Sequence, residues 1–127
     1  MTLSPPSVLI VDRSSENREV LRTILQRDGI HIIEAESGGT GLNLAKCWHP
    51  KVMVLDADTV DLNDPAVCGG YDEEIRQENT SVVLLGRIRE SRSPLLTSEI
   101  LSKPYHYAPL IRRIEELLQH AEPQSPD

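Results

Sequence analysis

Five short segments of the chain, most of them continuous apolar runs, have the pattern of β-strands. They are 8–11, 30–33, 52–55, 81–85 and 99–102. Apolar runs of this length are typical of strands that are covered on both faces, as in parallel sheets. The pattern therefore predicts a sheet with two buried faces.

The stretches between these segments have helical spacing of apolar residues and capping or terminating residues at their ends. They predict helices over 14–27, 37–48, 65–78, 87–98 and 107–120. Gly69-Gly70 costs the third helix about 1 kcal/mol per glycine relative to alanine, so we expect it to be broken or to start late. Pro94 interrupts the fourth, which we expect to be shortened.

Strands that alternate with helices predict an α/β fold, with a doubly wound parallel sheet flanked by helices. At 127 residues the chain has the length of one domain. We assign the domain to 7–120, because 1–6 and 121–127 are Pro- and Ser-bearing segments with little apolar surface to bury. We expect these two segments to be flexible tails.

The charge balance limits the partners. Thirteen basic and twenty acidic residues give a net charge of −7, which argues against direct binding to nucleic acid or to an anionic membrane surface. Two cysteines, Cys47 and Cys68, are typical of a reducing compartment. With no apolar run long enough to span a membrane and no signal-peptide pattern, we expect a cytoplasmic protein.

Three charged residues follow predicted strands. Asp12 ends the first, Asp56 ends the third and Lys103 follows the fifth. Because parallel strands have their carboxyl ends at one edge of the sheet, these side chains should converge there. Two carboxylates suit Mg²⁺, and Asp56 is the strongest candidate for a nucleophile or metal ligand. The structural alternatives are a turn or cap role for Asp12 and a solvated surface position for Lys103.

Three motifs occur in an order that resembles the receiver domains of two-component response regulators. Val-Leu-Ile-Val-Asp, ending at Asp12, and Asn-Arg-Glu-Val-Leu at 17–21 resemble the opening of that family. The stretch 38–56 resembles the one that leads to its phosphoacceptor, and Leu-Ser-Lys-Pro-Tyr around Lys103 resembles its Lys-Pro-aromatic ending. The resemblance covers 7–120, which is nearly the whole chain.

The resemblance implies a signalling module rather than an enzyme, with the flavodoxin-like strand order 2-1-3-4-5. Asp56 would be the phosphoacceptor, Asp12 an acidic Mg²⁺ ligand and Lys103 the phosphate-contacting lysine. The implied partners are a histidine kinase or phosphotransfer protein and a downstream protein. Homodimerisation is a further family property, and any output would come through a partner, self-association or another domain.

Several departures make the chain an atypical or degenerate member. The second acidic residue after the first strand is replaced by Arg13, and the hydroxyl residue after the fourth strand by Gly86. The aromatic switch residue falls at Ile100, and Asp58 stands where the family has Met-Pro after the phosphoacceptor. Mg²⁺ binding could therefore be weak or lost. Asp58 either replaces the missing ligand or forms an ion pair with Arg13, and the sequence does not decide between these.

Three functions remain open. The first is a phosphorylatable receiver with an atypical switch, and the second is a pseudo-receiver that binds a partner without phosphorylation. The third follows from Asp56-Ala-Asp58-Thr-Val60, which is similar to the Asp-x-Asp motif of haloacid dehalogenase-type phosphohydrolases. In that family Asp56 would be the nucleophile and Asp58 the general acid. However, the motif lies on the third strand, and no acidic pair follows the fourth, so this alternative is remote.

Overall fold

The computed structural model describes residues 7–27, 29–61, 63–86, 99–101 and 106–121. Its centre is a five-stranded sheet in the order β2-β1-β3-β4-β5, with every neighbouring pair parallel. The strands are β1 (Ser7–Val11), β2 (His31–Ala35), β3 (Val52–Asp56), β4 (Ser81–Leu85) and β5 (Glu99–Leu101). The predicted α/β class and the flavodoxin-like strand order are confirmed.

Described helices follow β1, β2, β3 and β5 along the chain. They are α1 (Ser15–Gln26), α2 (Gly38–Trp48), α3 (Pro65–Glu78) and α4 (Tyr107–Ala121). Side chains of Ser14, Ser37 and Asp64 accept hydrogen bonds from backbone amides in the first turns of α1, α2 and α3, which satisfies donors that have no partner inside the helix. None of the described helices has the length and apolar character needed to cross a membrane.

Of the helices in the described ranges, two pack against each face of the sheet. Val8 and Ile10 of β1 pack in a core with residues of α1 and α4, whereas Leu9 and Val11 pack in a second core with residues of α2 and α3. Alternate residues of one strand thus enter different cores, because successive side chains point to opposite faces. This explains why the central strands β1, β3 and β4 are mostly apolar along their length.

The second strand differs from its predicted bounds of 30–33. It runs from His31 to Ala35, so it includes the charged Glu34. Glu34 is tolerated in the strand because its carboxylate pairs with Arg18 at 3.1 Å and with Arg22 at 2.7 Å, both on α1. The apolar pattern could not reveal these partners.

The expected break or late start of the third helix is wrong, because α3 is continuous from Pro65 to Glu78. A side chain at Gly70 would bring its Cβ to 2.3 Å from Cδ2 of Leu42 on α2, whereas Gly69 has no heavy atom within 4 Å of such a Cβ. Gly70 therefore permits a close helix–helix approach, and this tertiary packing outweighs its low helix propensity. We call Gly41, Leu42, Gly70 and Tyr71 the α2–α3 contact.

Four predicted features lie outside the described residues. They are the helix over 87–98 with its interruption at Pro94, Lys103, the tail 1–6 and residues 122–127 of the second tail. The remaining residue of that tail, Ala121, is the last residue of α4.

Candidate functional site

Two of the predicted site residues lie side by side at the carboxyl ends of β1 and β3. Val11 pairs in register with Leu55, so Asp12 and Asp56, which follow them, occupy neighbouring positions on adjacent strands. Both residues are buried, with exposed fractions of 4% and 3%. We call this pair the acidic edge.

Asp12 also shapes the turn that begins α1. Its Oδ1 accepts a hydrogen bond from the Ser14 amide at 2.9 Å, and its Oδ2 accepts one from Nδ2 of Asn17 at 3.4 Å. Its carbonyl oxygen accepts one from Nη1 of Arg18 at 2.5 Å. The turn role considered from the sequence is therefore present, and these contacts hold the Asp12 carboxylate at the carboxyl end of β1.

Asp56 begins a tight turn. Its carbonyl oxygen accepts hydrogen bonds from the amides of Thr59 at 3.0 Å and Val60 at 2.9 Å, and Val60 is fully buried. The Thr59 hydroxyl donates to Oδ2 of Asp56 at 2.6 Å. This turn brings a hydroxyl group to the carboxylate of the candidate phosphoacceptor.

Arg13 lies across the same turn. Its backbone amide donates to the Thr59 hydroxyl oxygen at 2.9 Å, and its Nη2 donates to the main-chain carbonyl oxygen of Asp58 at 2.7 Å. The sequence left open an ion pair between Arg13 and Asp58. The contact observed here joins the guanidinium to the backbone of Asp58.

Gly86 follows β4 at the position where the resembled domains have a hydroxyl residue. Its φ is +128°, a conformation that residues with a side chain rarely adopt. A Cβ at this position would lie 3.1 Å from Cβ of Ala57, whose amide donates to the Leu85 carbonyl oxygen at 2.8 Å. The departure at Gly86 therefore includes the backbone as well as the side chain.

Of the two remaining predicted positions, Ile100 and Lys103, the structure describes the first. Ile100 lies in β5 and pairs in register with Leu84 of β4. Lys103 lies outside the described residues, so its predicted place beside the two carboxylates remains a prediction.

The sequence did not single out three polar residues near the acidic edge. Thr59 contacts Asp56, Asn17 contacts Asp12, and the Tyr107 hydroxyl at the start of α4 donates to Oδ1 of Asn17 at 2.6 Å. Asn17 entered the sequence analysis only as the first residue of the motif at 17–21, with no role assigned to its side chain. Tyr107 is 90 positions away from it along the chain, and no local pattern could have paired the two.

The oxygen ligands of the acidic edge fit a hard divalent cation. Mg²⁺ commonly takes one or two protein carboxylates and completes its shell with water, which matches Asp12 and Asp56. Within the described ranges, no group of three or more His, Cys, Asp or Glu side chains is placed to hold a metal ion. A ligand role for Asp58, whose residue is exposed, stays a prediction.

No family model matches the chain, but a comparison with known proteins finds relatives that are similar to it over most of its length. The probable transcriptional regulator ycf27 of Cyanophora paradoxa is 27% identical over 128 residues, which cover 96% of this chain and 52% of that protein. The chain thus spans about half the length of this relative.

Two solved structures have the same fold. A CheY-like response regulator receiver domain protein from Methanospirillum hungatei JF-1 superposes with a TM-score of 0.75 and 22% identity, over 91% of this chain and 96% of that one. The receiver domain of Saccharomyces cerevisiae Ssk1, crystallised with the histidine phosphotransfer protein Ypd1, has a TM-score of 0.70 and 20% identity over 92% and 91%. The chain therefore has the fold of these receiver domains, and it is similar in sequence, over almost its whole length, to the probable transcriptional regulator ycf27.

Proposed function

We propose that the chain is a receiver module of a phosphorelay in which Asp56 accepts a phosphoryl group. The observation that carries this proposal is the acidic edge, where two buried carboxylates lie at the carboxyl ends of adjacent parallel strands. Open α/β sheets bind their ligands outside these strand ends. Two neighbouring carboxylates with so little exposure are costly unless polar groups or a cation stabilise them, which is typical of functional sites.

The proposed step is an in-line transfer from a phosphohistidine. A carboxylate oxygen of Asp56 attacks phosphorus, an oxygen–phosphorus bond forms, and the phosphorus–nitrogen bond breaks. The bonding electron pair leaves with the imidazole, which takes up a proton. The hydrogen bond from Thr59 to Oδ2 restricts rotation of the Asp56 carboxylate and so supports its orientation for attack.

The cofactor of this step is Mg²⁺. Asp12 and Asp56 would hold it, with water and the nearby Asp58 completing the ligands. A cation bound there would neutralise the oxygens of the incoming phosphoryl group. Lys103, which the sequence resemblance assigns to phosphate contact, would supply a second positive charge.

The partners follow by analogy with the relatives. We propose a histidine kinase or a phosphotransfer protein as the phosphoryl donor, because the Ssk1 receiver domain with the same fold is crystallised with Ypd1. A downstream protein, or a second copy of this chain, would receive the signal. We place these exchanges in the cytoplasm, without direct contact to nucleic acid, in keeping with the net charge of −7.

A pseudo-receiver that binds its partner without phosphorylation is the second candidate. Two observations favour it: Arg13 brings a positive charge to the turn after Asp56, and Gly86 has a backbone conformation unsuited to a switching hydroxyl residue. In that case the acidic edge would be a structural feature, and partner binding would not depend on Asp56.

Mass spectrometry after incubation with acetyl phosphate and Mg²⁺ separates the candidates. The phosphorelay proposal expects one added phosphoryl group on the native chain and none on Asp56→Asn. Asp61→Asn is the matched control, because Asp61 is a carboxylate of the same loop whose Oδ1 accepts from the Asn63 amide, and it should still be phosphorylated. An unmodified native chain would favour the pseudo-receiver. Phosphomonoester hydrolysis that Asp58→Asn abolishes would instead support the phosphohydrolase alternative.

A further inference from the structure

Arg13 has two anchors on the turn that follows Asp56. The backbone amide of Arg13 is tied to the Thr59 hydroxyl oxygen at 2.9 Å, and Nη2 of its guanidinium is tied to the Asp58 carbonyl oxygen at 2.7 Å. The Thr59 hydroxyl in turn donates to Oδ2 of Asp56 at 2.6 Å. One hydroxyl group therefore connects the backbone of a cationic residue to the carboxylate of the acidic edge.

The other two arginines of this region pair with a carboxylate. Nε of Arg18 and Nη1 of Arg22 contact Glu34 at 3.1 and 2.7 Å, and Nη1 of Arg18 also donates to the Asp12 carbonyl oxygen. The guanidinium of Arg13 contacts the Asp58 carbonyl oxygen, and Arg13 itself is exposed. Its positive charge is thus held on the turn that begins at Asp56, and its side chain has access to solvent if it is displaced.

We propose that Arg13 is a resident cation of the acidic edge and that a divalent cation binds Asp12 and Asp56 only in competition with it. This inference rests on the acidic edge as the cation and phosphoryl site proposed above. Hard divalent cations take carboxylate and backbone carbonyl oxygens as ligands, and the guanidinium already occupies the carbonyl oxygen of Asp58. A cation at this edge would also be repelled by the positive charge of Arg13.

Thr59 is the positioning residue of this arrangement. Its hydroxyl group keeps the backbone of Arg13 at the turn and donates to Asp56, so removing the hydroxyl loosens the arginine and also frees one oxygen of the Asp56 carboxylate, while both carboxylates stay in the chain. Mg²⁺ binding should therefore be weak in the native chain, strongest when the arginine side chain is removed, and intermediate when only the hydroxyl is removed.

A Mg²⁺ titration followed by backbone NMR at constant ionic strength tests the competition. Arg13→Ala should tighten Mg²⁺ binding by about tenfold or more, with the shifting amides centred on Asp12 and Asp56. Arg22→Ala is the matched control, since it removes the same charge from a residue that pairs with Glu34, and it should change the affinity less than about twofold. Equal affinities for Arg13→Ala and Arg22→Ala would overturn the inference.

A second pair of variants tests the hydroxyl. Thr59→Val keeps the shape of the side chain and should tighten Mg²⁺ binding about threefold, whereas Thr59→Ser keeps the hydroxyl and should match the native chain. Amide hydrogen exchange at Arg13 should be faster in Thr59→Val alone. If Val and Ser behave alike, Thr59 does not position Arg13.

The outcomes also separate this inference from the proposed function. Mg²⁺ binding at the acidic edge with no effect of Arg13 overturns the competition and leaves phosphoryl transfer standing. Tighter binding in Arg13→Ala, together with no phosphorylation of Asp56 in any variant, supports the competition and contradicts phosphoryl transfer. An Arg13→Ala chain that binds no Mg²⁺ at millimolar concentration contradicts both.

Discussion

The acidic edge and the α2–α3 contact owe their geometry to different interactions. At the acidic edge, short turns supply hydrogen bonds to the carboxylates, from the Ser14 amide to Asp12 and from the Thr59 hydroxyl to Asp56. In the α2–α3 contact, a glycine lets a neighbouring side chain approach the helix backbone. These hydrogen bonds at the acidic edge join residues that are close in sequence, whereas the α2–α3 contact joins residues about thirty positions apart. The comparison indicates why the site residues were easier to predict than the helix packing.

The largest expected effect comes from adding one methyl group to the α2–α3 contact. A Cβ at Gly41 would lie 2.5 Å from the Tyr71 hydroxyl oxygen and 2.6 Å from Cγ2 of Val11, and both neighbours are fully buried. Gly41→Ala should therefore lower the free energy of unfolding by about 2–3 kcal/mol, measured by urea denaturation. Gly69→Ala, in the open middle of α3, should raise it by about 0.5–1 kcal/mol. Equal stability of the two variants would show that the close approach at Gly41 is not required.

The next largest effect is expected at the end of β4, where Gly86 stands in place of the hydroxyl residue of the resembled domains. Gly86→Ser restores a hydroxyl residue but forces a side chain onto a φ of +128° and against Ala57, so it should cost about 2 kcal/mol. Gly29→Ser is the control, because Gly29 has a φ of +77° and no heavy atom within 4 Å of an added Cβ, and it should cost about 1 kcal/mol. Urea denaturation of both variants separates backbone strain from the contact with Ala57. A Gly86→Ser chain as stable as the native one would mean that β4 could still present a switching hydroxyl.

These contrasts also explain what the sequence could predict. The apolar runs predicted buried parallel strands, and the carboxyl ends of those strands predicted that Asp12 and Asp56 would lie together. Both predictions were possible because each strand and the residue that ends it are local features of the chain. The resemblance supplied the strand order. Gly69-Gly70 misled the analysis because helix propensity is a local quantity, whereas the fit of Gly70 against Leu42 depends on the packing of two helices.

The hydrogen bonds within the site were harder to predict from the sequence. The sequence identified Arg13 as an added positive charge, but its anchoring to Thr59 and to the Asp58 carbonyl depends on the shape of a turn 45 residues away. The sequence could therefore name the charged groups of the acidic edge without giving their hydrogen bonds. The same applies to the hydrogen bond between Tyr107 and Asn17.

Two tyrosine hydroxyls, one in the α2–α3 contact and one beside the acidic edge, allow the two regions to be compared through smaller expected effects. The Tyr71 hydroxyl is fully buried and donates to the Gly38 carbonyl oxygen at 2.7 Å, whereas the Tyr107 hydroxyl is partly buried and donates to Asn17 beside the acidic edge. Tyr71→Phe should lower the free energy of unfolding by about 1.5 kcal/mol at neutral pH, because a buried hydrogen bond from the Tyr71 hydroxyl to the Gly38 carbonyl oxygen is lost. Tyr107→Phe should lower it by about 0.5 kcal/mol, because water can replace the lost partner.

The pH dependence of stability should separate the same two tyrosines. Burial raises the pKa of Tyr71 well above its usual value near 10. Because the folded state favours the protonated hydroxyl, this stabilisation is fully present below the pKa of the unfolded chain and is lost as the pH rises through the folded pKa. Above pH 10 the native chain should therefore lose up to about 1.4 kcal/mol per pH unit through Tyr71. In urea titrations between pH 8 and 10.5, Tyr71→Phe should lose less stability with rising pH than both the native chain and Tyr107→Phe. Parallel curves for the two variants would mean that burial in the α2–α3 contact does not keep the Tyr71 hydroxyl protonated.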